Sequence, residues 1–185
     1  LRRRLPPGAI VQDYPFEEGP ANLNAGDTPV RTVRLGELFT GPDRSVVAYH
    51  FMFGKKQGRP CPMCTQLMDS VNGAVRHVRQ RAAFYAVAKS PIARLAAWAH
   101  RRGWDHLRFL STARNSYSGD YYGDSSKVPG ALRKVRGGKP DEVWDDTMFN
   151  VFRLDNGTVR HFWGSELSWM ASGPGQDHRS GDSVS

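Results

Sequence analysis

Three apolar runs that do not alternate with polar residues organise the middle of the chain. Residues 46–53 are almost all apolar, β-branched or aromatic, and residues 83–88 repeat this pattern. Residues 107–111 form a third and shorter run. An apolar run of this length without alternation is typical of a strand covered on both faces, as in a parallel sheet.

Two helical patterns separate these predicted strands. Residues 62–79 carry apolar side chains at steps of three and four, which places them on one helical face. They are Leu67, Met68, Val71, Ala74, Val75 and Val78. In the second pattern Ser90 is the expected N-cap, Pro91 the first helical residue and Gly103 the stop. The order β-α-β-α-β predicts an α/β fold with a parallel or mixed sheet.

The flanking segments have weaker signals. Residues 1–45 form an N-terminal extension along a sheet edge, with short β pieces at 9–13 and 30–35 and a helical turn near 35–39. Residues 116–146 are rich in glycine and predict a long insertion loop. Asn156-Gly157 between two β-like runs, 148–154 and 158–163, is a strong hairpin signal. We therefore predict one domain over residues 1–172, a last helical turn at 167–170 and a flexible tail over 173–185.

Composition restricts the class of protein. Hydrophobic residues make up 39% and charged residues 24%, as in a water-soluble globular protein. There is no apolar run of membrane-spanning length and no secretory signal, so we expect a cytoplasmic protein. The formal net charge is +8, but the basic residues are scattered and no nucleic-acid motif accompanies them. We therefore expect no nucleic-acid partner, whereas a homodimer stays open.

The candidate chemistry lies in Cys61 and Cys64, the two cysteines of the chain. A strand that delivers a Cys-x-x-Cys to the start of a helix is the arrangement of a redox-active thiol pair. With Cys61 as N-cap and Pro62 as the first helical residue, the free N–H groups and the helix dipole favour the Cys61 thiolate. Cys61 is then the nucleophile and Cys64 resolves the mixed disulfide. Three basic residues upstream favour the thiolate too, namely Lys55, Lys56 and Arg59.

Three alternatives accompany this hypothesis. The two thiols would be inert if both were buried. A copper(I) site would use Cys61, Cys64, His50 and Met52, since thiolate, thioether and imidazole suit that ion. A thiol peroxidase would use Cys61 alone as nucleophile, assisted by Thr147 or Arg153. Zinc is disfavoured, because no histidine follows His77 at the spacing that a fourth ligand needs.

Several motifs resemble those of a thioredoxin-like family of predicted dithiol-disulfide oxidoreductases, domain of unknown function family 899. The motifs are Arg2-Arg3-Arg4-Leu5-Pro6, Tyr14-Pro15-Phe16, Leu38-Phe39, Tyr49-His50-Phe51-Met52-Phe53-Gly54, Cys61-Pro62-Met63-Cys64 and Ser90-Pro91. The resemblance covers residues 2–163, while residues 164–185 do not look like the family's closing segment.

The resemblance implies a three-layer thioredoxin-like sandwich with a central mixed sheet. It also implies no organic cofactor, a protein or small-molecule disulfide as substrate and an electron donor that it does not name. The family's dithiol falls on Cys61 and Cys64, while Pro62 and Met63 between them tune the redox potential. Thioredoxins place a cis-proline beside the dithiol, and the best match to that position here is Thr147.

Overall fold

A computed structural model describes residues 6–19, 30–40, 44–127 and 145–165. Eight strands form one sheet in the described part of the chain, and three α-helices accompany it. The strands are β1 (Ala9–Ile10), β2 (Pro15–Glu18), β3 (Arg31–Arg34), β4 (Ser45–His50), β5 (Ala83–Ala88), β6 (Phe109–Ser111), β7 (Phe149–Asp155) and β8 (Thr158–Gly164). The helices are α1 (Pro62–Val78), α2 (Ile92–Arg102) and α3 (Tyr117–Asp120).

The sheet is mixed, with the strand order β1-β8-β7-β4-β5-β6-β2-β3. Strands β4, β5 and β6 run parallel, because α1 and α2 return the chain to the same edge each time. The remaining pairs are antiparallel. The α/β class and the mixed sheet predicted from the sequence are therefore confirmed, and Cys61 follows the central strand β4.

Two apolar layers sandwich the sheet. On one face α1 and α2 bury Met68, Val75 and Leu95 against the aromatic side chains of β4 and β5. On the other face β2, the turn of 3₁₀-helix at Leu35–Leu38 and Tyr117 of α3 form a second apolar cluster. The result is the three-layer arrangement that was expected. None of the helices in the described part of the chain combines the length and apolar character that crossing a membrane requires.

Several element boundaries differ from the prediction. Strand β4 ends at His50 rather than at 53, although the Phe51 N–H still donates to the Val87 carbonyl of β5 at 2.8 Å. Helix α2 begins at Ile92 with Pro91 as its N-cap, one residue later than predicted. Its stop is confirmed, because Gly103 has the left-handed φ of 67°. Strand β6 begins at Phe109 rather than at 107.

The N-terminal extension reaches both edges of the sheet, whereas the sequence predicted one. Strand β1 pairs with β8, while β2 and β3 form a hairpin that pairs with β6. The sequence did not predict β2, because Pro15-Phe16-Glu17-Glu18 lacks the apolar run of a central strand.

Residues 116–146 were predicted to be a loop, but the first part of this segment has regular secondary structure. It contains α3 and a turn of 3₁₀-helix at Ser125–Lys127, and Tyr117 is wholly buried. The predicted turn at 167–170, the tail at 173–185 and most of the insertion lie outside the described residues.

The β7–β8 hairpin is confirmed. Asn156 has φ 47° and Gly157 has φ 81°, and a two-residue hairpin turn of type I′ requires positive φ at both of these positions. The local sequence therefore sets this turn by itself.

Candidate functional site

Cys61 lies at the N-cap of α1, and Pro62 is the first helical residue, as the sequence predicted. The side chain is partly exposed, and its sulfur carries no disulfide. The Cys61 carbonyl accepts hydrogen bonds from the Thr65 N–H at 3.0 Å and the Thr65 hydroxyl at 2.9 Å. These contacts fix Cys61 at the start of a 17-residue helix, where free N–H groups and the dipole favour an anion.

Cys64 lies one turn further along the helix and faces the core with only 2% of its surface exposed. Burial raises the pKa of the Cys64 thiol to about 11, because a thiolate would be poorly solvated there. Met63, between the two cysteines, is 60% exposed, and Pro62 is exposed as well. One sulfur is therefore open to a partner while the other stays protonated behind it.

The backbone of Met52 contacts both cysteines. Its carbonyl accepts a hydrogen bond of 2.9 Å from the Cys61 N–H, and its own N–H donates to the Cys64 sulfur, which lowers the pKa of that thiol. The sequence had proposed the Met52 thioether as a copper ligand. In the structure the Met52 side chain packs against the apolar cluster under α1, and the hydrogen bonds to the two cysteines come from its main chain.

Tyr49 lies next to the buried sulfur, and Thr147 lies next to the Tyr49 hydroxyl. The Tyr49 hydroxyl is within hydrogen-bonding reach of the Cys64 thiol and of the Thr147 hydroxyl. Burial and the neighbouring thiol raise the pKa of Tyr49 well above its usual range, so it remains a neutral donor. The Thr147 hydroxyl is buried without a hydrogen bond of ordinary geometry. Thr147 is thus linked to the dithiol through Tyr49, and its supporting role stays a prediction.

Arg94 of α2 holds the loop between β4 and Cys61. Its guanidinium donates to the backbone carbonyls of Gly54, Lys55 and Gln57, and it stacks over the Phe53 ring at 4.6 Å. A planar group with a fork of donors suits such a cluster of carbonyls. The sequence gave no signal for this contact, because Arg94 looks like any exposed arginine of an amphipathic helix.

An ion pair ties the end of β5 to the segment before Thr147. Lys89 bonds Asp145 and lies 3.3 Å from Asp124. The side chains of Lys89 and Asp145 are only 16% and 6% exposed. Burial raises the pKa of Asp145, and the neighbouring ammonium opposes that shift. The sequence gave no signal for this pair, because Asp124 and Asp145 lie in a glycine-rich segment without a motif.

Beside the ion pair the surface opens into a cleft of about 1180 Å³. The cleft is bounded by the loop 54–57, by Lys89 at the end of β5, by Thr112 after β6 and by residues of and after α3. It lies at the carboxyl ends of the parallel strands, the edge where α/β sheets bind ligands.

The structure separates His50 from the dithiol. Tyr49 faces α1, so His50, the next residue of the strand, faces the opposite layer. There its ring lies against Tyr117, and Asn150 lies between it and His161, with an Asn150 Nδ2–His50 Nε2 distance of 3.4 Å. Burial lowers the pKa of His50 to about 3. The four-donor copper set is therefore not brought together, and no group of three or more metal-ligating His, Cys, Asp or Glu residues occurs in the described ranges.

The other sequence candidates occupy peripheral positions. The Arg59 side chain is exposed in the loop before Cys61. Arg153 stacks on Phe162 at 4.9 Å in the β7–β8 hairpin. The structure shows neither guanidinium in contact with a sulfur, so a supporting role for Arg59 stays a prediction.

A family model described as "Bacterial protein of unknown function (DUF899)" matches residues 1–184. The chain belongs to this family. The match includes residues 164–184, so the expectation that the closing segment departs from the family was wrong. No curated protein matches the sequence.

Solved structures similar to this chain include several peroxiredoxins. A 1-Cys peroxiredoxin described as an antioxidant protein of Plasmodium falciparum is 9% identical, with a TM-score of 0.59 over 95% of this chain and 93% of that one. Peroxidoxin BcpB from Mycobacterium tuberculosis is 16% identical, with a TM-score of 0.55 over 86% and 87%. A peroxiredoxin Q variant from Xanthomonas campestris is 7% identical, with a TM-score of 0.57 over 86% and 87%. At these identities the likeness establishes the thioredoxin-type fold alone.

Proposed function

We propose that this protein is a thiol-disulfide oxidoreductase with Cys61 as nucleophile and Cys64 as resolving thiol. The observation that supports this most directly is the contrast between the two sulfurs. Cys61 is partly exposed at the N-terminus of a long helix, whereas Cys64 is buried one turn behind it with a raised pKa. Nucleophilic attack needs an accessible thiolate, and resolution needs a second thiol close enough to attack the first sulfur. A raised pKa keeps Cys64 from competing with Cys61 for the substrate.

The exchange proceeds in two balanced steps. The Cys61 thiolate attacks one sulfur of a disulfide, and the other sulfur leaves as a thiolate and takes up a proton from water. Cys64 then loses its proton and attacks the Cys61 sulfur, which forms the Cys61–Cys64 disulfide and breaks the mixed disulfide bond. The second substrate sulfur leaves as a thiolate and takes up the proton that Cys64 released. The substrate is reduced by two electrons and the protein is oxidised by two.

The surroundings of Cys64 assist the second step. The Met52 N–H and the Tyr49 hydroxyl both donate to the Cys64 sulfur and lower its pKa from the value that burial alone would set. They therefore stabilise the Cys64 thiolate as it forms. We propose that no organic cofactor is needed, because the two thiols carry both electrons, and that an external thiol reductant regenerates the dithiol.

Reduction of insulin and of a small disulfide by the pre-reduced protein tests the proposal. Cys61→Ser should abolish reduction, since it removes the accessible nucleophile. Cys64→Ser should trap a mixed disulfide on Cys61, which intact-mass spectrometry detects. Reduction by Cys61→Ser at the wild-type rate, or a wild-type dithiol that fails to cycle with any disulfide, overturns the proposal.

Reduction of a hydroperoxide is the second candidate, and the likeness of the fold to peroxiredoxins favours it. Here the Cys61 thiolate attacks the peroxide oxygen, which releases an alcohol and forms a sulfenic acid on Cys61. Cys64 condenses with that sulfenic acid, releases water and forms the same Cys61–Cys64 disulfide. Stopped-flow oxidation by cumene hydroperoxide, compared with oxidation by a small disulfide, decides between the candidates. The faster oxidant identifies the reaction, and Cys61→Ser is the control for both.

A further inference from the structure

The cleft beside the dithiol loop is bounded by four lysines, which are Lys55, Lys56, Lys89 and Lys127. The acidic residues along the same cleft are Asp120, Asp124 and Asp145. The contacts of these groups determine which charges face a ligand.

The carboxylates are engaged within the protein. Asp145 and Asp124 share the ammonium of Lys89. Asp120 accepts hydrogen bonds from the Tyr14 hydroxyl at 2.9 Å and the Ser116 hydroxyl at 2.7 Å. Asp120 keeps its negative charge, because both of its donors are neutral, but these hydrogen bonds orient its carboxylate toward Tyr14 and Ser116.

The other three lysines form no ion pair with a carboxylate in the described residues, so their positive charges are available to a ligand. Lys55 donates to the carbonyl oxygen of Ala113 at 2.6 Å, which is a neutral acceptor. Lys56 and Lys127 are exposed, and no described carboxylate pairs with either of them. Because Arg94 fixes the carbonyls on both sides of Lys56, the backbone that carries this ammonium is held in place.

The cleft lies within reach of the nucleophile. Gln57 bounds the cleft and precedes Cys61 by four residues. Consecutive Cα atoms are about 3.8 Å apart, so these two Cα atoms are separated by at most about 15 Å. A fully extended tripeptide arm spans about 10–11 Å, and a lysine side chain extends toward it from the cleft wall, so together they bridge this upper limit and one arm approaches Lys56 while the sulfur meets Cys61.

We propose that the cleft binds the anionic arm of a low-molecular-weight disulfide and so selects carboxylate-bearing disulfides as substrates. The inference rests on the proposed thiol-disulfide exchange and adds a substrate class to it. Lys56 and Lys127 supply the attraction, and Lys55 borders the same surface. The chemistry at sulfur is unchanged, with two electrons passing from the dithiol to the bound disulfide.

Three small disulfides of different charge test the proposal, each rate being taken relative to that disulfide's uncatalysed reaction with a free thiol. They are glutathione disulfide, which is anionic, hydroxyethyl disulfide, which is neutral, and cystamine, which is cationic. The pre-reduced wild type should react fastest with glutathione disulfide, and raising the salt concentration should reduce that advantage because screening weakens the attraction.

The double variant Lys56→Gln/Lys127→Gln should lose the preference. We expect kcat/KM for glutathione disulfide to fall by about tenfold, mostly through KM, while the rate with hydroxyethyl disulfide changes by less than about twofold. The matched control is Arg101→Gln, which removes one charge at the far end of α2, where Arg101 stacks on Trp98. It should keep the wild-type preference for the anionic disulfide.

The outcomes separate the two proposals. If all three disulfides react at similar rates in the wild type, or if the double variant keeps the preference, the anion-binding cleft is wrong and the exchange chemistry stands. If none of the three is reduced, thiol-disulfide exchange with small disulfides is wrong, and the cleft loses its assigned substrate with it.

Discussion

The carbonyl oxygen of Met52 accepts a hydrogen bond of 2.9 Å from the Cys61 N–H. Met52 follows the last residue of β4 by two positions, so the central strand is joined directly to the start of α1. The N–H of the same residue donates to the Cys64 sulfur. The main chain of Met52 therefore contacts both cysteines, while its side chain packs against the apolar cluster that contains Cys64.

Met52→Leu should leave thiol chemistry unchanged for this reason. Leucine keeps both backbone contacts and nearly the same volume, so the rate of disulfide reduction should stay within about twofold and stability within about 1.5 kcal/mol. Titration with copper(I) under a competing chelator is the discriminating measurement. A large loss of copper(I) affinity in Met52→Leu would support the thioether as a ligand, whereas unchanged affinity limits any copper site to the two cysteines.

Alkylation should distinguish the two cysteines. Iodoacetamide at pH 7 is expected to modify Cys61 and spare Cys64, because Cys64 is buried and its pKa is raised to about 11. Peptide mass spectrometry after a timed quench reports both sites. Tyr49→Phe should raise the pKa of Cys64 further, since it removes a donor to the sulfur. Equal labelling of the two thiols in folded protein would contradict the roles assigned to them.

Arg94→Ala should loosen the loop that carries Cys61. The change removes charge-assisted hydrogen bonds to backbone carbonyls and the stacking on Phe53, which together stabilise the fold by about 1–3 kcal/mol. Hydrogen exchange in residues 54–60 should accelerate, and chemical denaturation should show the loss of stability. Arg94→Lys should restore only part of it, because an ammonium lacks the planar fork of donors. Arg101→Ala on the same helix is the control and should leave this exchange unchanged.

Acid should destabilise the fold through His50. Burial lowers the pKa of His50 from 6.5 to about 3, so the folded state binds this proton more weakly than the unfolded state. The resulting stability is complete above about pH 6.5 and is lost as the pH falls toward 3, with a slope of about 1.4 kcal/mol per pH unit for one proton. Urea unfolding at pH 7, 6 and 5 measures the slope.

His50→Gln should reduce that slope, because glutamine does not titrate. His161 adds a smaller contribution in the same direction, since burial lowers its pKa as well. His100→Gln on the exposed surface of α2 is the control and should keep the wild-type slope. Equal slopes in wild type and His50→Gln would show that His50 does not carry this dependence.

Lys89→Met should be among the most destabilising single changes near the site. It leaves Asp145 buried without its counter-charge, which typically costs about 3–5 kcal/mol. The double variant Lys89→Met/Asp145→Asn should recover part of this loss, because the buried charge is gone. The exposed pair Arg34–Asp13, 3.5 Å apart, is the comparison. Arg34→Gln should cost less than about 1 kcal/mol, and thermal unfolding measures all three variants.

Features set by neighbouring residues were predictable from the sequence. The Asn156-Gly157 turn, the N-cap position of Cys61, the length of α1 and the left-handed Gly103 all depend on backbone preferences within a few residues. The parallel strands β4, β5 and β6 also follow from the alternation of apolar runs and helical patterns, since the crossover helices dictate their direction.

The surroundings of the dithiol were decided by contacts between distant parts of the chain. Arg94 meets carbonyls 37 to 40 residues away, and Tyr49 brings Thr147 to Cys64 across two neighbouring strands. The face on which His50 lies depends on the register of β4 in the sheet. His50 therefore lies on the opposite side of the sheet from Cys61 and Cys64, although the three residues are close in sequence. A sequence pattern encodes backbone preference and burial locally, whereas strand order and register determine which distant side chains meet. The sequence by itself therefore pointed to Cys61 and Cys64 as the candidate thiol pair, and the tertiary structure determined which groups contact them and which charges border the cleft beside them.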